Sequence, residues 1–547
     1  MREDEFKKHR ERTAVGERSR RQRVVQHCRW LFEGAFEPFS MTSLFRLSFV
    51  LLASTLMGAL SAPAIAQSPP PRFEHQVVQQ LARETAAKPY QAPAQDLPAG
   101  LSELNYDEFR QMRFRKERTI WRGEGLEFEL QVLPTGWLYK TPVEIAIVES
   151  GEARTLHPQN DYFDLGPLAG KLQPNDRLGF SGFRINGPLN RPDHFDEIVV
   201  FQGASYFRAL SRGQSYGLSA RGLALNVGKP GGEEFPMFHK FWIERPAKGA
   251  RSVVVHALLD SPSVAGAYRF EITPGAVTNV EVEATLYPRK DLSEVGIAPL
   301  TSMFLFSPIN RTRISDFRPA VHDSDGLAIW NGSDEMLWRP LSNPRRLQSS
   351  DFLDFNPRGF GLIQRARDFS SFQDLEAHYE RRPSAWIEPR ENWGPGVVRL
   401  FEIPSEEEIH DNIVAYWKPS QSLAAGQAHS FRYGLSWPNN MPRPKPLAYV
   451  AATHAGLTNG PQRDARIYRF VIDFKGYAQT DRLPTARVEA SKGEVGMPVV
   501  QTNPFTNGLR AAFSFDPKGA ESSELRLVLN AKETPISEVW LYRWTKD

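Results

Sequence analysis

The sequence predicts an all-β protein that ends in a small immunoglobulin-like sandwich. Three observations predict it. Leu126-Glu127-Phe128-Glu129-Leu130-Gln131-Val132 and Val280-Glu281-Val282-Glu283-Ala284-Thr285-Leu286 alternate apolar and polar residues, and period two places one row of side chains inward and the other toward solvent. Helical spacing is rare, and Gly and Pro punctuate the intervals between strand runs. Four prolines fall within the nine residues Pro438-Asn439-Asn440-Met441-Pro442-Arg443-Pro444-Lys445-Pro446, a composition that cannot feed a sheet ladder and favours an extended connector.

Taken in order, the chain opens on residues that do not belong to the fold. Residues 1–40 are crowded with charge and read as an extension upstream of the biological start, expected at Met41. Arg46, the apolar run Leu47 to Leu60 and Ala64-Ile65-Ala66 have the layout of a signal peptide. The run is too short to serve as a stable membrane anchor. Cleavage is expected after Ala66, with the mature chain starting at Gln67. Ser19-Arg20-Arg21-Gln22-Arg23 imitates a twin-arginine signal, but Trp30, Phe32, Glu33 and Glu37 separate it from the apolar run, so the general secretory route is expected. Phe73, Val77 and Leu81 then mark a short amphipathic helix. Residues 67–437 form the main body and 438–447 the connector. Residues 448–547 hold short alternating strands at Ile467 to Phe474, Ala512 to Phe515, Leu525 to Leu529 and Val539 to Trp544, which suit the immunoglobulin-like sandwich. A cut near Arg443 is expected to release two folded pieces.

Composition excludes several functions. Residues 1–66 hold 11 of the 67 basic and 7 of the 64 acidic residues, so the remainder carries 56 against 57, a formal charge of −1. That is not the basic footprint of a nucleic-acid binder. The single cysteine, Cys28, lies in the leader, so the secreted chain depends on packing rather than disulfides. Gly217-Leu218-Ser219-Ala220-Arg221 lacks the second glycine of a nucleophile elbow, which leaves Ser219 structural. No His-Glu-x-x-His helix occurs, and His239, His256 and His378 are scattered, so no metal or other cofactor is expected.

Asn356 to Pro419 is the richest segment. Phe360, Phe369, Phe372, Tyr379, Trp386, Trp393, Phe401, Tyr416 and Trp417 alternate there with Arg365, Arg367, Asp368, Arg381, Arg382, Glu402 and Asp411. Two readings fit. Ring faces and charged groups together suit a carbohydrate site, apolar sugar faces on the rings and hydroxyls on the charges. Alternatively, the segment is a sheet rim whose rings are core and whose charges are surface.

That segment resembles the periplasmic glucan biosynthesis G and D proteins. Further blocks carry the same resemblance: GASYFRALSRGQSYGLSARGLALN from Gly203, GEEFPMFHKFWIERP from Gly232, HALLDSPSVAGAYRFEITPG from His256, APLTSMFLF from Ala298, HDSDGLAIWNG from His322 and WRPLSNPRRL from Trp338. The secretory leader favours the G type. The resemblance implies a large N-terminal β-sandwich bearing a cleft, then the immunoglobulin-like domain, in the periplasm. It also implies action on β-1,2-linked glucan by an inverting mechanism, for which two carboxyls sit roughly 6.5–9.5 Å apart. By match of blocks, the general base is Asp323, the general acid is Asp411 and a proton relay runs through Tyr379. Tyr206, Trp330, Arg367, Asp368, Trp386, Trp393 and Trp417 are the expected glucan-binding residues. Each catalytic residue also has a plain structural alternative: a turn bond for Asp323, strand entry for Asp411, a satisfied core hydroxyl for Tyr379. Two functions follow. One is a hydrolase or transglycosylase acting on β-1,2-glucan. The other is a non-catalytic scaffold that receives nascent glucan from an inner-membrane synthase. A separated acid and base favours the first, since binding alone needs neither.

Overall fold

The computed structural model describes residues 72–546, apart from Asp96, Pro174, 312–313, 443–444, 459–465 and 478–481. The leader, the cleavage site at Ala66 and Gln67, and Arg443 lie outside the described residues. Strands dominate, as the alternation predicts. Leu126, Phe128, Leu130 and Val132 are buried while Glu127 is exposed, and Val280, Val282, Ala284 and Leu286 repeat the pattern.

Two large sheets face each other. Among the described residues, one has ten strands, ordered Glu129–Pro134, Phe180–Arg191, His194–Gln202, Tyr206–Ala209, Ser219–Arg221, Val295–Ser302, Ile413–Pro419, Pro395–Glu402 and Gln348–Phe355, with Leu223–Leu225 also paired to Val295–Ser302. Phe183, Phe201 and Phe207 of this sheet meet Phe241 and Phe270 of the fifteen-stranded sheet opposite, at ring separations from 5.0 to 5.8 Å. Inward-facing rings from two sheets make the core of a β-sandwich.

The predicted helix forms over His75–Ala86. Its buried stripe is Val78 and Ala82, flanked by the partly buried Phe73 and Leu81, against Trp242, Leu258 and Tyr287. Val77, expected inward, is 36% exposed. The reason is the helix start: Phe73 precedes the first turn, so its position does not set the phase of the stripe. His75 Nδ1 lies 3.1 Å from His256 Nδ1, and His256 Nε2 lies 2.7 Å from Glu244, which pins the helix to the sheet.

After the Pro-rich segment, a five-stranded sheet packs Phe470 and Phe513 against Trp540. The strand Val539–Thr545 pairs in parallel with Met336–Pro340, Leu337 opposite Val539 and Trp338 opposite Trp540. One hydrophobic cluster therefore joins Trp338 and Trp386 to Phe470, Leu527 and Trp540. Arg365 strengthens the junction. It donates to Glu538 from both terminal nitrogens, at 2.6 and 3.0 Å, and lies 3.5 Å from the Trp338 ring centre.

Candidate functional site

Strand register decides which side chains can meet a ligand. Val132, Phe183, Phe201, Phe207, Ala220 and Leu300 occupy one cross-strand row of the ten-stranded sheet and point into the core. Shifting by one residue reverses the face. Gln131, Arg184, Arg208, Ser219 and Thr301 therefore line the opposite face. Arg184 donates to Gln131 and Glu197, Tyr216 donates to Glu197, and Arg208 donates to Ser219 at 2.7 Å. This polar row leads to Asp411, whose carboxylate is 3.7 Å from Arg208 and whose side chain is 29% exposed.

Tyr206 and Arg208 share a face because they are two residues apart in one strand. The Arg221 guanidinium lies 4.6 Å from the centre of the Tyr206 ring and pairs with Glu233. Burial pushes the Tyr206 hydroxyl up to about 12; the charges of Glu233 and Asp411 add to this and Arg221 opposes it.

Asp323 follows the short strand Val321–His322 and is 3% exposed. Its backbone N–H donates to the Met303 carbonyl, and its carboxylate accepts a charge-assisted hydrogen bond from Arg382. Burial pushes the Asp323 carboxyl above the usual carboxylate range. Arg382 opposes that shift, and the charge of Asp411 reinforces it. Asp323 and Asp411 are thus close enough for one carboxylate to feel the other. Tyr379 lies beneath the Arg382 guanidinium, 4.1 Å from ring centre to carbon. Its hydroxyl donates to Glu408 at 3.3 Å, and burial raises its pKa. Arg318 holds Glu408 at 2.8 Å while also pairing with Asp316 and Asp374. Among the described residues, no group of three or more His, Cys, Asp or Glu is placed to hold a metal ion, and no helix is long and apolar enough to cross a membrane.

The profile of a family described as "Periplasmic glucan biosynthesis protein, MdoG" matches residues 73–544. The chain belongs to this family. It is similar to proteins named "Glucans biosynthesis protein G" from Shewanella frigidimarina (strain NCIMB 400), 51% identical over 86% of this chain and 85% of the relative. The protein of that name from Shewanella sp. (strain MR-4) is 52% identical, over 86% and 87%. That from Vibrio cholerae serotype O1 (strain ATCC 39541 / Classical Ogawa 395 / O395) is 48% identical over the same shares. The resemblance seen in the sequence blocks is therefore a family relationship.

Within this MdoG-family fold, the expected residues fall into two groups. Asp323, Asp411, Tyr379 and Tyr206 come together. Arg367 supports them: it donates to the carbonyls of Glu380 and Arg382, so it holds the backbone that carries Tyr379 and Arg382. The four tryptophans are placed differently. Trp386 and Trp417 are 1% and 0% exposed, so neither has a ring face available to a sugar. Trp386 lies over Gly359 and Gly361, and Trp417 over Gly396; a Cβ on Gly396 would stand 2.4 Å from the Trp417 ring. Trp393 packs 6.1–6.2 Å from Trp417, Phe431 and Tyr433. Trp330 is half-buried, donates to Asp334 and stacks with Arg358. It sits four residues along a strand from Gly326, about 13 Å from the end nearest Asp323. Asp368 is exposed, and its carbonyl accepts from Ser371.

Arg208 and Arg318 were not foreseen, and Arg382 was expected only as one of the charged groups of the aromatic segment. A signal existed for Arg208, which lies two residues after Tyr206 in an alternating strand. Arg382 and Arg318 reach the site from loops, where no periodicity marks them.

Proposed function

We propose that this protein acts in the biosynthesis of osmoregulated periplasmic glucans as an inverting enzyme on β-1,2-linked glucan. The observation that carries the reading is the convergence of a buried carboxylate, Asp323, with a solvent-accessible one, Asp411, around Arg382, Arg208 and Tyr379. Asp411 donates a proton to the glycosidic oxygen as the bond from the anomeric carbon breaks. The attacking hydroxyl adds to the opposite face of that carbon and gives its proton, along the Tyr379 relay, to Asp323. Arg382 favours the ionised form that a base needs. Burial raises the basicity of Asp323 toward the working pH, where general-base catalysis is most effective. Partial exposure lets Asp411 be reprotonated from solvent after each turnover. Water as nucleophile gives hydrolysis, and a sugar hydroxyl gives transglycosylation.

The test is to incubate the protein beginning at Gln67 with linear β-1,2-glucan and to follow products by mass and anomeric configuration. Shortened chains of inverted configuration, or redistributed chain lengths, are the expected products. Asp411→Asn and Asp323→Asn each remove proton transfer and should lower turnover by about 10²–10⁴-fold while glucan still binds. Near-wild-type turnover by both variants overturns the roles. Binding without turnover by the unaltered protein favours the scaffold reading, in which a membrane synthase hands over nascent glucan. Secretion after cleavage at Ala66 is part of the proposal, and N-terminal sequencing of periplasmic protein should begin at Gln67.

A further inference from the structure

The segment from Pro134 to Tyr139 makes a tight turn closed by paired backbone bonds between Gly136 and Tyr139, at 2.8 and 3.0 Å. Trp137 occupies this turn with φ of 51°, a left-handed backbone that bulky residues rarely adopt. Gly136 is required here, because a Cβ would stand 2.9 Å from the Phe109 ring. The outcome is an aromatic group displayed at the surface. Trp137 lies 5.2 Å from Tyr106 and 6.0 Å from Tyr139 by ring centres. Tyr106 is 55% exposed and the adjoining Leu138 is 71% exposed. Tyr106 itself is presented by the helix Tyr106–Phe109, which a reciprocal Asn105–Glu108 capping box fixes in place.

This group does not end in solvent. Tyr139 forms one wall of a 230 Å³ cavity also lined by Lys140, Gln202, Phe235, Met237 and Tyr206. Tyr206 belongs to the face that leads through Arg208 to Asp411. Phe235, 53% exposed, lies on the same cavity, with the Arg221 guanidinium 5.7 Å from its ring centre. The Gln202 amide is fixed by a 2.9 Å bond to Ser181. The floor of the cavity is apolar, with Val143, Phe201, Phe238 and Phe241 from the core, and its rim carries rings, hydroxyls, the Gln202 amide and one lysine, with no carboxylate. Such a surface suits an uncharged ligand with alternating apolar and hydroxyl-bearing faces.

We propose that Tyr106, Trp137 and Tyr139, with the adjoining cavity, form a remote binding site for sugar units of the same glucan whose reacting bond lies at Asp411. This inference rests on the glucan reading above. A backbone held in an unfavourable conformation persists where its surroundings over-determine it, often at ligand clamps, and here it keeps an indole at the outer end of the track.

The experiment uses the Asp411→Asn protein, so that the glucan stays intact, and measures its Kd for long linear β-1,2-glucan by calorimetry. Adding Trp137→Ala should weaken binding about tenfold, in the range of a lost aromatic anchor. Tyr106→Ala, at a largely exposed position, provides a second variant whose fold does not depend on the ring, and it should weaken binding severalfold. Thermal melting accompanies each measurement. A Kd within twofold of the Asp411→Asn parent for both variants overturns the remote site and leaves the glucan reading intact. Absence of glucan binding by both the parent and the unaltered protein overturns both.

Discussion

Removing Arg382 tests the electrostatics of the site without requiring turnover. Asp323 is 3% exposed and has Arg382 as its charge partner. Arg382→Met keeps length and apolar volume while deleting the guanidinium. Breaking a buried pair on one side costs about 3–5 kcal/mol when the remaining charge stays ionised. Asp323 can escape by taking up a proton, which limits the loss to about 1.36 kcal/mol per pH unit above the ordinary carboxylate value near ~3.9. The ceiling is therefore about 4 kcal/mol at pH 7 and about 1.5 kcal/mol at pH 5. The sign follows from linkage. Burial raises the folded-state pKa of Asp323, so the folded chain binds this proton more tightly than the unfolded chain does. The residue's contribution to stability thus declines as pH rises from the unfolded value through the folded one, and Arg382→Met makes that decline larger. The variant also loses a 3.3 Å bond to the Ala377 carbonyl and the stacking on Tyr379, terms that do not change with pH. Urea unfolding at pH 5 and pH 7 is the assay, with Arg382→Met/Asp323→Asn as the fourth corner of the cycle. The double variant should recover most of the pH-dependent part. Equal losses at both pH values, or a double variant no more stable than the single one at pH 7, refute the reasoning.

Three further outcomes are expected. Trp386→Ala and Trp417→Ala should each destabilise by about 3–5 kcal/mol, as buried ring deletions do, and thermal melting checks this; stability within 1 kcal/mol would mean the rings are not core. His75, whose pKa burial and the neighbouring His256 lower to about 4, stays neutral in the folded chain while the unfolded chain protonates near ~6.5. Docking of the helix His75–Ala86 should therefore weaken as pH falls from 6.5 toward about 4, and His75→Ala should flatten that slope in amide exchange of the helix. Proteolytic cleavage at Arg443 should leave two folded pieces that co-elute in gel filtration, because Val539–Thr545 pairs with Met336–Pro340 and Arg365 is bonded to Glu538; separation without denaturant counts against a shared sheet.

Local physics made the fold legible, and long-range packing concealed much of the site. Alternation at Leu126–Val132 and Val280–Leu286 requires only that one face be buried, a condition written into each segment. The same period places Trp417 on the face of Ala415, opposite Leu300 in the core, so its burial could have been read from parity once the strand was recognised. Trp386 could not, because the glycines it covers lie on another strand, paired through Gly361. Asp323 and Asp411 were found by matching blocks, since nothing local separates them from other acidic residues. Arg382 and Arg318 act from loops whose paths depend on the sheets being assembled. Aromatic richness around Asn356 to Pro419 proved to be mainly a core signal. The exposed ring of Tyr106 and the half-buried ring of Trp137 lie far upstream, outside that segment.

The parallel pairing of Met336–Pro340 with Val539–Thr545 also sets an order in time. A chain made from its N-terminus exposes Leu337 and Trp338 about 200 residues before their partners exist. Arg365 likewise waits for Glu538, 173 residues later. Pairings this distant pay loop-closure entropy before any contact rewards them, and they fold slowly. Until Val539–Thr545 arrives, Trp338 and the segment from Gln364 to Arg367 lack one wall, and the Gln364 and Arg367 side chains donate to the carbonyls of Tyr379 and Arg382. A ribosome stalled before Glu538 therefore holds a chain with both aspartates already made but with an unfinished edge exposed. Such edges recruit other chains. For this protein the edge at Met336–Pro340 is closed by a strand about 200 residues downstream, so its protection depends on a late-made partner rather than on its sequence neighbours.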